Sequence, residues 1–173
     1  MNHLRRRRTA ALATGVLLTA ALALAAPAST AAAPSGRAPA TPLVVGARWA
    51  GHCAYDRIVI DLKGYVPDAD VTRVPALHQD GSGAPVPLAG KHFLQIRLHP
   101  AAAHLRSGEG TYRGPKLVRT NLPALKGLAM TGDFEGYVTF GAAFDSRPSY
   151  KAFTLRSPDR FVVDIAHRNV CCG

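Results

Sequence analysis

The chain has 173 residues, a formal net charge of +10 and three cysteines. This length excludes a multidomain enzyme but is enough for one domain with a single hydrophobic core. After the first 33 residues, no segment of the sequence is long and apolar enough to span a bilayer.

The N-terminal residues 1–33 have the pattern of a secretory signal peptide. Arg5–Arg8 form a positive n-region, and Thr9–Ala26 form an apolar h-region. Small-residue cleavage sites end at Ala28 and at Ala33, and the sequence does not decide between them. No cysteine follows the h-region at a lipid-attachment position, so we expect neither a lipid anchor nor a stable membrane anchor after cleavage. We therefore expect an extracellular protein, secreted or associated with the cell wall.

Residues 34–42 are rich in Ala, Pro, Ser and Thr, which predicts a disordered tether before a domain at 43–168. Without Arg5–Arg8, 17 basic and 11 acidic residues leave a net charge of +6. Outside the cell membrane, this charge favours wall polymers, anionic peptidoglycan or lipid headgroups as partners. Nucleic acid is not expected, because the chain is predicted to be exported and has no recognised binding motif.

A heptad near the start of the domain almost repeats near its end. Asp56–Leu62 reads DRIVIDL, and Asp159–Ile165 reads DRFVVDI. Alternation of apolar and charged residues predicts two β-strands. If they pair antiparallel with Val59 opposite Val162, two cross-strand ion pairs result, each worth about 0.2–1 kcal/mol. These predicted pairs are Arg57 with Asp164, and Asp61 with Arg160. The alternative is that the two strands lie in opposite sheets related by pseudo-symmetry.

Short strand patterns separated by Gly and Pro turns fill the rest of the domain and predict an all-β sandwich. Asp80–Gly83 is typical of a hairpin loop, and Ala101–Leu105 and Leu122–Leu128 are candidate helical turns. The predicted strands are Leu43–Trp49, Tyr55–Leu62, Asp70–Ala76, His92–His99, Lys116–Asn121, Gly136–Phe140, Tyr150–Leu155 and Arg160–Ala166.

The cysteines are Cys53, Cys171 and Cys172, the last two in a tail at 169–173. Disulfides persist in exported proteins, and the predicted antiparallel register brings Cys53 within a few residues of the tail. We therefore predict that Cys53 bridges Cys171 or Cys172. The odd cysteine leaves either a monomer or a Cys-linked dimer, and the spacing does not favour a metal site.

The sequence contains no serine, lysine or metalloprotease nucleophile motif. Asp133 and Glu135 are two residues apart and would share one face of a strand, so a glycosidase carboxylate pair is geometrically admissible. The alternative is that Asp133 caps a turn and Glu135 is solvated. His92, His99 and His104 lack a supporting carboxylate set and are interpreted as ordinary surface histidines.

Three segments resemble the AMIN-like domain of secreted actinobacterial proteins. These are His52–Leu62 at the start, Gly132–Gly141 in the middle and Phe153–Ile165 at the end, and the resemblance spans Leu43–His167. It implies a β-sandwich of the AMIN type. AMIN domains accompany periplasmic amidases and secretin-type transporters and bind peptidoglycan, whereas this sequence has no such partner module.

The sequence therefore predicts a secreted, non-catalytic, cofactor-free module that binds cell-wall material. The expected ligand contacts are Tyr55, Arg57, Glu135, Tyr137 and Arg160, since Arg pairs with carboxylates and Tyr offers an apolar platform with a polar end. One alternative is an envelope protein adaptor that presents a sheet edge. Another is a small wall hydrolase that uses the Asp133 and Glu135 carboxylates.

Overall fold

A computed structural model describes residues 40–168, and within them the chain forms nine β-strands. In chain order they are β1 (Leu43–Gly51), β2 (Tyr55–Lys63), β3 (Asp68–Val74), β4 (His92–His99), β5 (Leu117–Arg119), β6 (Leu125–Phe134), β7 (Tyr137–Phe144), β8 (Tyr150–Leu155) and β9 (Arg160–Ala166).

The strands form two sheets. Sheet A has four strands in the order β1-β2-β9-β8, and sheet B has five in the order β3-β4-β7-β6-β5. Every paired neighbour is antiparallel. The predicted all-β sandwich is confirmed.

The two copies of the heptad form the central strands of sheet A. They pair antiparallel with Val59 opposite Val162, which is the predicted register. One face of this pair lies in the core, where Ile58, Ile60 and Val163 are completely buried. The internal repeat thus fixes the middle of one sheet.

The core lies between the sheets. Sheet B supplies Leu94, Ile96 and Leu98 from β4 and Val138 and Phe140 from β7, all with no exposed surface. In β4 these apolar residues alternate with Gln95 and Arg97, so the other face of the strand carries polar groups. Period-two alternation therefore places sheet B with one face in the core.

Strand β6 was not predicted. The candidate helical turn at Leu122–Leu128 is wrong, because most of that segment begins a ten-residue strand. Irregularities at Lys126 and Thr131 break its register with β7. A bulge inserts one residue and shifts the alternation, so Leu125 and Leu128 share a face at a spacing of three, which imitates a helical period.

The second candidate helical turn, Ala101–Leu105, is also wrong. Ala102 forms a parallel bridge to Leu43, and His104 forms an antiparallel bridge to Gly110. The segment's backbone is tied to its neighbours, since Ala102 donates to the Pro42 carbonyl and Val44 donates to the Ala102 carbonyl. These backbone hydrogen bonds to distant parts of the chain replace the local hydrogen bonds of a helix.

The long β3–β4 connection covers part of the outer face of sheet B. Leu77, Val86 and Leu88 pack on Ala129 and Ala143 and form a second, smaller apolar cluster. The predicted hairpin loop Asp80–Gly83 lies at the tip of this connection, where Gln79 donates to the Ala84 carbonyl. The rest of the outer face stays open.

No helix within residues 40–168 is long and apolar enough to cross a membrane. The predicted signal peptide at 1–33, most of the tether at 34–42 and the tail at 169–173 with Cys171 and Cys172 lie outside the described residues.

Candidate functional site

The structure divides the predicted ligand contacts between two surfaces. Tyr55, Arg57 and Arg160 belong to β2 and β9 and lie on the outer face of sheet A. Glu135 and Tyr137 lie at the hairpin that joins β6 to β7 in sheet B. The five residues therefore do not form one site.

On sheet A, Arg57 is engaged by its own neighbours. Its Nε and Nη2 donate to the two carboxylate oxygens of Asp164 at 2.7 and 2.8 Å. Its guanidinium also lies 5.0 Å from the centre of the Tyr55 ring and 5.5 Å from that of Phe153. The hydrogen bonds to Asp164 raise the pKa of Arg57. This guanidinium is therefore already occupied as a bidentate carboxylate binder.

The predicted Asp61–Arg160 ion pair is wrong, although the two residues lie opposite each other. Asp61 instead accepts two hydrogen bonds of 2.9 Å from Arg48 of β1, which raise the pKa of Arg48. Gly46 lies opposite Asp61 on the β1 side and has no side chain to block this approach. Arg160 Nε donates to the Pro158 carbonyl at 3.1 Å.

On sheet B, Glu135 and Gly136 form the two-residue turn between β6 and β7. Both have positive φ angles, 48° and 79°, as a type I′ hairpin turn requires. Glu135 is therefore a turn residue with an exposed side chain.

The predicted carboxylate pair of Asp133 and Glu135 does not form, because the strand ends between them at Phe134. Asp133 lies opposite the buried Val138 in the β6–β7 register and accepts hydrogen bonds from the Ala103 amide, at 3.0 Å, and from His104 Nδ1, at 2.7 Å. Asp133 thus anchors the neighbouring loop, and the strand-face geometry that suggested a glycosidase pair is absent.

An open cleft of about 370 Å³ lies beside the hairpin, on the part of sheet B that the β3–β4 connection leaves uncovered. We call it the hairpin cleft. It is lined by side chains from the connection, from β4 and from the hairpin: Asp80, Gln95, Arg97, Phe134, Glu135 and Tyr137.

Tyr137 is the most constrained side chain of the hairpin cleft. Its ring stacks on His99 with a centroid distance of 4.2 Å, and the Arg97 guanidinium lies 4.6 Å from its centroid. Phe134 lies opposite Tyr137 in the β6–β7 register and is 59% exposed. The cleft therefore combines a fixed aromatic ring with a second ring open to solvent.

The polar groups of the hairpin cleft are mostly uncommitted. Asp80 accepts a hydrogen bond from the Thr139 hydroxyl. Within residues 40–168, Gln95, Arg97 and Glu135 have no side-chain hydrogen bond or ion pair to other protein groups. A cation, an anion and an amide are thus available beside two aromatic rings.

Sequence analysis identified Glu135 and Tyr137 of this cleft but missed Asp80, Gln95, Arg97 and Phe134. The alternation of β4 carried a usable signal for two of them. Gln95 and Arg97 interrupt an apolar strand at period two, which places both on the outer face. Asp80 offered no such signal, because its position depends on how a long loop folds back over the sheet.

Asp56 is a further residue whose role sequence analysis missed. It is fully buried, and its Oδ2 accepts hydrogen bonds from the amides of Ala124 and Leu125 at 2.7 and 2.8 Å. Its Oδ1 lies 2.8 Å from His167 Nε2, and the other ring nitrogen of His167 lies 3.1 Å from the Cys53 carbonyl. This network ties β2, the start of β6 and the end of β9 together.

In the part of the chain that the structure describes, no three His, Cys, Asp or Glu side chains converge to hold a metal ion. The family model for the AMIN-like domain matches residues 42–167. The chain belongs to the AMIN-like domain family, and this membership suggests a binding module related to the cell wall. Neither the curated proteins nor the solved structures contain a match.

Proposed function

We propose that the chain is an exported, non-catalytic module that binds cell-wall polymer, with the hairpin cleft as its contact surface. The observation that carries this proposal is the combination of Phe134 and Tyr137 with the unpaired groups of Gln95, Arg97 and Glu135. Aromatic faces pack on the apolar faces of sugar rings, while their neighbours hydrogen-bond to hydroxyl, amide and carboxylate groups. Peptidoglycan offers all of these groups.

Two of the sheet A candidates are already bound to groups of the protein itself. Arg57 is held by Asp164, and Arg160 donates to a backbone carbonyl. Releasing Arg57 for a ligand would leave the Asp164 carboxylate, whose side chain is 18% exposed, without its partner. We therefore assign the sheet A face a stabilising role and place ligand binding at the hairpin cleft.

The test is co-sedimentation of the purified protein with peptidoglycan sacculi stripped of wall teichoic polymers, at low and at high salt. High salt screens the generic attraction of a basic protein to an anionic wall. We expect retention at high salt, weakened several-fold in the variants Phe134→Ala and Arg97→Gln. Phe134 is exposed, so its truncation should leave the fold intact.

Two control variants match these changes elsewhere on the surface. Leu117→Ala removes another exposed apolar side chain, which is 38% exposed on β5. Arg156→Gln removes an exposed arginine in the turn between β8 and β9. Both should sediment like the unmodified protein. Equal losses in all four variants, or retention abolished by salt alone, would contradict a specific wall contact.

An envelope adaptor function has one supporting observation. In sheet A, β8 pairs with β9 on one side only, and Lys151, Ala152 and Thr154 are exposed along it. A free edge can receive a strand from a partner protein, but an exposed lysine on an edge strand disfavours such pairing. Failure of sacculus binding, followed by crosslinking of a protein partner through β8, would favour this alternative.

We also propose that Cys53 bridges Cys171 or Cys172 in the exported protein. The proximity of the described chain end supports it, since the His167 amide donates to the Ala54 carbonyl at 2.9 Å. Three residues lie between His167 and Cys171, so the Cα atoms of these two residues are at most about 14 Å apart, four steps of extended chain. Non-reducing peptide mapping tests the proposal, and three unmodified thiols in the exported protein would exclude the bridge.

A further inference from the structure

A second pocket, of about 350 Å³, lies at the other end of β7. Phe144, on its floor, is seven residues from Tyr137 of the hairpin cleft, which is about 23 Å along a strand. We call it the end pocket. Its walls are the segment before β6, the β7–β8 loop and the end of β9.

The floor of the end pocket is apolar and belongs to both sheets. Phe144 from sheet B is 1% exposed, and Ile165 from sheet A is completely buried. Pro123 and Pro148 add rigid apolar surface at the sides. Phe144 and Ile165 lie beneath the pocket surface, so the hydrocarbon that a ligand can reach comes from Pro123, Ala124 and Ala166.

The walls of the end pocket are held in place by the buried Asp56 network. Asp56 accepts the amide of Ala124 and binds the ring of His167, and both of these residues line the pocket. On the opposite wall, the Ala166 amide donates to the Ser149 carbonyl at 2.9 Å. The pocket is thus preformed, which lowers the entropic cost of binding.

The mouth of the end pocket is cationic. Arg147 and Arg168 are both exposed there, and neither forms an ion pair or a side-chain hydrogen bond within residues 40–168. The nearby Asp145 carboxylate lies 3.8 Å from Lys126, and the Asp56 carboxylate is fully used by its three hydrogen bonds. Two arginines that line the pocket therefore have no anionic partner within residues 40–168.

We propose that the end pocket binds the free carboxylate end of a short peptide or N-acyl amino acid. Arg147 and Arg168 would hold the carboxylate, because guanidinium groups bind carboxylates with two parallel hydrogen bonds. Pro123, Ala124 and Ala166 would contact the aliphatic side chain next to it, and Ser146, which also lines the pocket, would bond the amide. Inorganic phosphate satisfies the guanidinium groups equally well but makes no use of the apolar walls.

This proposal is independent of the hairpin cleft, since the two sites share no residue. The test is a titration followed by NMR chemical shifts, with N-acetyl-alanyl-alanine, its C-terminal amide and inorganic phosphate as the three probes. Both the L,L and the D,D forms of the dipeptide are used, because the structure does not favour either hand. We expect the free acid to shift Ala124, Ser149 and Ala166 and to bind roughly tenfold more tightly than its amide.

The variants Arg147→Gln and Arg168→Gln should each weaken binding of the acid several-fold, whereas Arg156→Gln, in the exposed turn before β9, should not. Equal binding of the acid and its amide would overturn the proposal. So would phosphate binding as tight as that of the dipeptide, because the apolar walls would then add nothing. Loss of sacculus binding in Phe134→Ala with intact dipeptide binding would separate the two sites.

Discussion

Substitution of Asp56 tests whether a carboxylate in the repeated strand holds the two sheets together. The residue is on β2 of sheet A, yet it accepts the amides of Ala124 and Leu125 at the start of sheet B. The third partner is His167. The change Asp56→Ala removes the acceptor from all three donors without adding bulk.

The expected loss in the free energy of unfolding of Asp56→Ala follows from the hydrogen-bond donors that the substitution leaves without a partner. A buried donor left without a partner costs about 1–3 kcal/mol. The Leu125 amide belongs to a residue with no exposed surface, whereas Ala124 is only partly buried, so water can replace part of its bond. We expect a loss of about 3–5 kcal/mol from the free energy of unfolding, a large fraction of the stability of a typical domain. Asp56→Asn keeps an acceptor oxygen and should cost less.

Urea denaturation followed by tryptophan fluorescence measures this loss, with an unchanged m-value showing that both states remain comparable. Asp159→Ala is the matched control, because Asp159 holds the same place in the second heptad. Its side chain makes no hydrogen bond or ion pair within the described range, so its removal should cost less than about 0.5 kcal/mol. Similar losses for the two alanine variants would refute the assigned role of Asp56.

Two further predictions follow from single contacts. Burial raises the pKa of Tyr112. Above about pH 10 this tyrosine ionises in the unfolded chain more readily than in the folded one, so the free energy of unfolding should fall. The variant Tyr112→Phe should reduce this fall in denaturation curves recorded from pH 8 to 11. A Cβ on Gly132 would overlap the Asp80 carboxylate, so Gly132→Ala should displace Asp80 from Thr139 and weaken sacculus binding. Gly81→Ala, which meets nothing within 4 Å, should bind normally.

The sequence predicted those parts of the fold whose pattern is local. The repeated heptads alternate without interruption, so their strands, their inward faces and their mutual register could all be read from the residues. Two bulges interrupt the alternation of β6, and the strand was missed for that reason. Part of the outer face of β7 is also covered by the β3–β4 connection, and no local pattern predicts where such a loop folds.

In the candidate site, too, only the residues with a local sequence pattern were predicted. Glu135 and Tyr137 were predicted because a glycine-flanked segment with an aromatic residue is visible in the sequence. The assignment of Glu135 to one strand face with Asp133 failed, since Glu135 adopts the positive φ of a two-residue turn. Arg97 joins them through pairing of β4 with β7, a contact between residues far apart in the chain. Such a partner emerges only once the sheet order is known.

The repeat itself explains why its charged residues make poor ligand contacts. Antiparallel pairing of two strands with the same Arg-to-Asp spacing places Arg57 beside Asp164, and these two residues satisfy each other's charge. Three of the arginines without a carboxylate partner within residues 40–168, Arg97, Arg147 and Arg168, lie outside the two heptads. Each of them lines one of the two pockets. A charge whose partner can be predicted from the repeat is therefore evidence for stability, whereas a charge that the fold leaves unpaired beside apolar surface is evidence for a ligand.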